Sequence, residues 1–371
     1  MKTPAYIFDE VKFTERLKQF SDLRQSTRFK LLYSIKALPL ACVLEKMLPY
    51  VDGFSASSLF EAKLAREVIK EQGSIHITTP GFRPDEIDEL LKVSDYININ
   101  SLSQWQRFSD HFGDQTSIGM RINPQLSFLH DDRFDPCRTF SKLGIGIDQL
   151  QNQNEVIEGM SGLHFHTMFG SESVKPLEKT IKKIESKLGD FLHKLKWINL
   201  GGGYVFNDQV SFSLFEKIVH ELINKYDLTV FFEPGKGIVG DAAELITEVI
   251  DLFESDGKMI AVLDTSVCHH PEIFEYQISA QIKESSPGTK HAYLLAGASC
   301  KSGDLFGEHH FSEPLAIGSK LTMQDVGAYT LVKASRFNGI NLPDIYLKDE
   351  KDQLQLIKQY DYKDYQQYFS V

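Results

Sequence analysis

Short apolar runs recur along the first two-thirds of the chain, and each stops at a polar or glycine-rich end. They are "FKLLYSIK" from Phe29, "DGFSAS" from Asp52, "IHITTP" from Ile75 and "YININS" from Tyr96. "SIGMRIN" from Ser117, "GLHFHT" from Gly162, "WINLGGG" from Trp197 and "TVFFEPG" from Thr229 continue the series. Brief and β-rich, these runs predict buried strands. Between them the apolar positions shift to helical spacing, as in "SLFEAKLAREVIKEQ", "PDEIDELLKV", "VKPLEKTIKKIESKLGDFLHKL" and "SLFEKIVHELINKY". Strands alternating with amphipathic helices predict an α/β fold with a parallel sheet and crossover connections. Eight such units over roughly 200 residues match a (β/α)8 TIM barrel better than an open sheet.

Beyond Gly240 the pattern changes. "AELITEVIDLFE", "KMIAVLDTS", "HAYLLAG" and "PLAIGSKLTMQDVGAYTLVKA" read as strands with few long helical stretches. The expected division is a barrel over residues 29–240 and a C-terminal β domain over 241–371. Residues 1–28, which carry the strand-like "TPAYIFDE", are expected to pack with that β domain.

Polar residues gather at the C-terminal ends of the eight runs: Lys36, Ser55, Ser57, Thr79, Asn100, Arg121, His164, His166, Gly201 to Gly203 and Glu233. A barrel brings those ends to one mouth, where catalytic groups sit. Strand ends are polar in general, which accounts for the Ser, Thr and Asn residues. It accounts poorly for Lys36, Arg121, His166 and Glu233 together. Lys36 closes an apolar run with no acidic residue in its segment. A buried unpaired amine is costly, and burial lowers its pKa toward the neutral, nucleophilic form.

Two glycine-rich loops, "LGGGYV" and "EPGKGIVG", follow the seventh and eighth strands. Glycine lets backbone N–H groups approach an anion, and barrels often bind phosphate at these two loops. Glu233 directly precedes the second loop, where a carboxylate would repel phosphate unless a cation lay between. A pyridinium nitrogen across a ring from the phosphate is such a cation. With a lysine amine at the same mouth, the combination points to pyridoxal phosphate. In this reading Lys36 holds the aldehyde as a Schiff base, the glycines hold phosphate, Glu233 meets the ring nitrogen, and His166 lies on the ring face.

Charge and cysteine content narrow the alternatives. The formal charge is −11 and no basic block is present, which disfavours a nucleic-acid partner. No apolar stretch approaches the roughly 18–20 residues of a membrane span. "MKTPAYIFDE" lacks the basic and apolar regions of a secretory signal, so a cytoplasmic protein is expected. Cys42, Cys137, Cys268 and Cys300 are scattered without CxxC spacing, so neither a metal site nor a disulfide framework is expected.

With these residues in hand, the chain resembles the barrel-type (fold type III, alanine-racemase-like) pyridoxal phosphate decarboxylases. The resemblance spans nearly the whole chain, through "YSIKA", "RINP", "DPCRTFSKLG", "GLHFHT", "KWINLGGG", "EPG", "LDTS", "CKSGD" and "AYTLVKASRFNGI" in order. It implies that Lys36 bonds the cofactor, His166 faces its ring, Gly201, Gly202, Gly203 and Gly235 hold its phosphate, and Glu233 protonates its pyridine. Tyr329 would help fix the cofactor from the C-terminal domain. The family also implies a homodimer with active sites shared across the interface. Cys300 would donate a proton there, and Asp304 and Arg121 would bind substrate. The implied substrate is a small cationic carboxylated polyamine. An amino-acid decarboxylase acting on diaminopimelate, ornithine or arginine, a racemase and a non-catalytic regulator of the same fold are the rivals. Relatives often carry an acidic residue after "EPG", "CE" soon after the HxH, and "CLAGD"; this chain has Lys236, Phe169 with Gly170, and Lys301 with Ser302.

Overall fold

The computed structural model describes residues 1–113, 115–151 and 153–370. The chain divides into two compact units, Thr14–Ile238 and Met1–Phe13 together with the chain from Val239 onward. Among the described residues, no helix is long and apolar enough to cross a membrane.

In chain order the strands begin with β1 (Ala5–Asp9), β2 (Lys30–Ser34), β3 (Gly53–Ala56), β4 (Ser74–Thr78), β5 (Tyr96–Ile99) and β6 (Ser117–Asn123). β7 (Ile145–Gly146), β8 (Gly162–His164), β9 (Trp197–Asn199) and β10 (Thr229–Phe232) follow. Eight of these, β2 to β6 and β8 to β10, pair in parallel and close on themselves through β5–β6 and β10–β2, forming a TIM barrel. All eight apolar runs are therefore strands. β7 is an additional two-residue pairing on β6.

The barrel centre is filled by aromatic and aliphatic side chains, as a closed parallel sheet requires. Leu32, Trp197 and Phe231 form one buried cluster with Tyr96 against it. Trp197 fits only because its neighbours are small. A Cβ on Gly162 would lie 2.1 Å from the indole, and one on Gly119 would lie 2.3 Å away. The indole N–H donates to Ser117 Oγ at 2.8 Å, which satisfies its one polar atom.

In the second unit the strands are β11 (Ala243–Ser255), β12 (Lys258–Leu263), β13 (His291–Ala296), β14 (Leu305–Phe311), β15 (Lys320–Met323), β16 (Asp344–Lys348) and β17 (Leu354–Lys358). They run β14-β13-β12-β11-β1-β16-β17, with β15 also on β11. β1 is antiparallel to β11 and parallel to β16, so the N-terminal strand is an interior strand of this sheet. The expected 1–28 segment divides. β1 joins the sheet, while the helix Glu10–Thr27 passes out of it and belongs to the barrel unit from Thr14 onward. That helix buries Phe13, Leu17 and Phe20 at helical spacing. The long run from Pro314 to Ala334 is strand only at β15; the rest is loop, with positive φ at Gly318, Asp325 and Tyr329, and a 310 turn over Leu331–Lys333.

Candidate active site

β2 ends at Ser34, and Ile35–Ala37 forms a single 310 turn that carries Lys36 past the strand. The Ser34 N–H donates to the Pro234 carbonyl at 3.1 Å, tying this turn to the loop after β10. Lys36 is half-buried, and among the described residues no carboxylate lies within ion-pair distance of its amine. Burial lowers its pKa; Glu233 opposes that, Arg121 adds to it, and Glu61 opposes it more weakly. The net direction is toward the neutral amine.

Glu233 is buried just past β10. Its Oε1 accepts from Asn199 Nδ2 at 2.6 Å, and its Oε2 lies 3.5 Å from His164 Nε2. Burial raises this carboxyl; the polar contact with the His164 ring outweighs it and holds the group well below the usual carboxylate range. His164 and His76 are themselves pushed down by burial and stay neutral near pH 7. Arg121 is buried on β6, its Nε lacks a partner, and burial lowers its pKa to about 10. The barrel mouth therefore couples a fixed anion, an amine without an ion-pair partner and a guanidinium whose Nε is unmatched.

The four expected phosphate-binding glycines divide by their backbone. The Gly201 N–H donates to Asn199 Oδ1 at 2.9 Å, and the Gly202 N–H donates to His166 Nδ1 at 3.1 Å. Those two hydrogen bonds brace the glycine loop against Asn199 and His166. Among the described residues, the N–H groups of Gly203 and Gly235 have no partner and are open to an anion. The loop itself demands glycine: a Cβ on Gly202 would stand 2.1 Å from the Glu233 carbonyl, and Gly203 has φ +86°. Since His166 Nδ1 accepts, its neutral ring carries the proton on Nε2. Burial, then Lys36 and Arg121, push its pKa well down.

In the β unit, Cys300 is exposed and its N–H donates to Asn338 Oδ1 at 2.9 Å. Asp304 is held by its own loop. Its carboxylate is only 2 % exposed, Oδ1 accepts the Val267 N–H at 2.7 Å, and Oδ2 accepts the Ser299 N–H at 3.0 Å together with the Ser299 hydroxyl. These three donors fix the carboxylate within its loop, with Oδ1 keeping a further acceptor site. Lys301 instead directs its ammonium over the rings of Phe274 and Phe337, at 4.9 and 5.3 Å, and toward Cys268 Sγ at 3.5 Å. Tyr329 is half-buried at φ +59°, an unusual conformation for a non-glycine residue and one that clusters at functional sites. Of the other departures, Phe169 stacks on Phe134 with ring centroids 5.0 Å apart, and Lys236 opens the short helix after Gly235.

Sequence reading missed Asn199 and His76. Asn199 joins Glu233 to the glycine loop, and His76 stacks on Tyr96 beneath the site with centroids 4.1 Å apart. Their position on the β-runs was visible, but their partners lie on other strands.

These residues fit pyridoxal phosphate on their own chemistry. An unpaired, depressed-pKa amine suits an aldehyde, a buried anionic carboxylate suits a pyridinium, and unpartnered loop amides suit a phosphate. The model of the pyridoxal-dependent decarboxylase pyridoxal-binding domain matches residues 10–240. The carboxynorspermidine/carboxyspermidine decarboxylase of Herminiimonas arsenicoxydans is 33 % identical over 98 % of this chain and 98 % of its own. The carboxyaminopropylagmatine decarboxylase of Synechocystis sp. is 30 % identical over 98 % of this chain and 95 % of its own. The crystal structure of carboxynorspermidine decarboxylase from Campylobacter jejuni, complexed with norspermidine, superposes with a TM-score of 0.90 at 31 % identity. It covers 99 % of this chain and 100 % of that one. The chain is a pyridoxal phosphate-dependent decarboxylase and belongs to the barrel-type family that includes the carboxynorspermidine/carboxyspermidine decarboxylases.

Proposed function

We propose that the enzyme decarboxylates carboxynorspermidine or carboxyspermidine in polyamine biosynthesis, releasing CO2 and norspermidine or spermidine. The observation that carries this reading is the end-to-end match to enzymes of that name, over a barrel mouth that keeps the lysine, carboxylate and glycine loop together. When bound, pyridoxal phosphate supplies the electron sink that lets the Cα–carboxylate bond break. Lys36 would hold the cofactor's aldehyde through its amine. Glu233 would keep a proton on the pyridine nitrogen, His166 would cover the ring face, and Gly203 and Gly235 would receive the phosphate. Gly201 and Gly202 set the loop, and Tyr329 helps fix the cofactor. Arg121 answers the substrate's negative end. CO2 leaves, and a proton from Cys300 takes its place at Cα. In this reading the working form is a cytoplasmic homodimer with each active site shared between two subunits.

The Synechocystis relative supports a second reading, decarboxylation of carboxyaminopropylagmatine. A CO2-release panel separates the two: carboxynorspermidine, carboxyspermidine, carboxyaminopropylagmatine, diaminopimelate, ornithine and arginine. Turnover confined to the last three would remove the polyamine assignment altogether. Mixing Lys36→Ala with Cys300→Ala subunits tests the shared site. Recovered activity supports it, and no recovery despite confirmed subunit exchange counts against it.

A further inference from the structure

The loop that precedes β14 is held from two sides. At one end the Asp304 carboxylate accepts the Val267 N–H at 2.7 Å and the Ser299 N–H at 3.0 Å. At Cys300 the anchor is a separate segment of the β unit, the 310 turn Phe337–Gly339. The Cys300 N–H donates to Asn338 Oδ1 at 2.9 Å, and the Lys301 ammonium lies 5.3 Å from the centre of the Phe337 ring. Two consecutive loop residues thus dock on two consecutive turn residues. Cys300 itself is exposed, and among the described residues its thiol has no hydrogen-bond partner.

Asn338 keeps this place in an uncommon backbone state. Its φ is +59° and its ψ 14°, in the left-handed region where asparagine is one of the few residues tolerated. The turn is braced from behind: the Gly339 N–H donates to the Arg336 carbonyl at 3.0 Å, and Arg336 Nη1 donates to the Asp364 carbonyl of the C-terminal helix at 3.2 Å. Asn338 and Cys300 are both exposed, so the hydrogen bond between them adds little to folding. What it fixes is the backbone that carries the thiol. We propose that Asn338 is the positioning residue of the Cys300 thiol. This rests on the reading above in which Cys300 supplies the proton that replaces CO2 at Cα. In that step the electron pair left at Cα takes the thiol proton, and the thiolate regains a proton from solvent. A proton donor held in place contributes about a hundredfold to ten-thousandfold in rate, and a small displacement forfeits much of it. With the thiol out of line, the same pair is open to protonation at the cofactor's aldehyde carbon. Water then releases the product as an aldehyde and leaves the cofactor as its amine.

The test compares three holoenzyme variants. Asn338→Gly keeps the left-handed backbone but removes the acceptor, Asn338→Asp keeps both, and Cys300→Ala removes the thiol. Deuterium exchange at the Cys300 amide is measured alongside kcat and KM for the best substrate of the CO2-release panel. Loss of visible cofactor absorbance per turnover is followed in the same reactions. Asn338→Gly is expected to speed that exchange and to lower kcat, each at least about tenfold, with KM within about threefold and faster loss of absorbance during turnover. Asn338→Asp should restore most of each. Wild-type exchange or wild-type kcat in Asn338→Gly overturns the proposal. A raised KM at unchanged kcat also overturns it and makes Asn338 a substrate contact. If Cys300→Ala keeps wild-type kcat and cofactor absorbance, the proton-donor reading falls and takes this proposal with it. If Cys300→Ala is impaired while Asn338→Gly performs as wild type, the proposal alone falls.

Discussion

The buried side chain of Asn199 grips two parts of the site at once, donating to Glu233 Oε1 at 2.6 Å and accepting the Gly201 N–H at 2.9 Å. It fixes the carboxylate and the start of the glycine loop relative to each other. Asn199→Ala leaves a buried carboxylate oxygen and a buried N–H unmatched, each at about 1–3 kcal/mol. The expected result is lower stability in urea unfolding together with weaker pyridoxal phosphate binding. A variant that loses stability but keeps wild-type cofactor affinity would limit Asn199 to packing.

Lys36 has no acidic partner within reach and a lowered pKa, so its amine can bond an aldehyde. Lys36→Ala should lose the visible absorbance band of protein-bound pyridoxal phosphate and CO2 release together. Persistence of the band would assign the aldehyde to another amine.

His76 is buried, and burial pushes its pKa down to about 3. The unfolded imidazole has its ordinary value of about 6.5. Below that pH the unfolded chain takes up a proton that the folded chain refuses. This group's share of stability is therefore full above about 6.5 and shrinks toward 3, by about 1.4 kcal/mol per pH unit. His164, also held neutral by burial, and Glu233, held low, act in the same direction. His76→Phe should flatten the fall in unfolding free energy between about pH 6 and about pH 4 by up to that slope. Parallel slopes for variant and wild type would show that His76 titrates normally when folded.

Asp304 and Lys301 can be told apart by what each variant damages. Asp304→Asn removes a charged acceptor from three internal donors and should destabilise the protein by about 2 kcal/mol or more. Lys301→Leu gives up ammonium–ring contacts and a long contact to Cys268 Sγ at a partly exposed position, about 0.5–1 kcal/mol. Chemical unfolding reads both. A raised KM with unchanged stability in Asp304→Asn would return that residue to substrate binding.

The barrel was legible because its strands are short apolar runs, each closed by a polar residue, and period and length leave few alternatives. Lys36, Glu233 and the glycines could be read because their chemistry is conspicuous at the ends of those runs. The 310 turn under Lys36 was not visible, since "SIKA" continues the apolar pattern of β2 without a break. The helix Glu10–Thr27 was also passed over, although Phe13, Leu17 and Phe20 mark its buried stripe. Its many charged residues mask that stripe. Asn199 depends on a partner 34 positions away. In "CKSGD" the sequence shows an acid but not its burial, and only the three internal donors reveal that Asp304 faces inward.

The place of β1 has a consequence for how the chain can be made. Its neighbours β11 and β16 emerge more than 200 residues later, after the whole barrel has been synthesised. Until then the first strand is an orphan with both edges open, and closing so large a loop is entropically slow. Trimming the chain through Asp9 would accordingly split the sheet down its interior, leaving β16 and β17 cut off from β11. A tag or deletion at the N-terminus thus acts on the middle of the second unit, although in sequence it looks like an edit to an end.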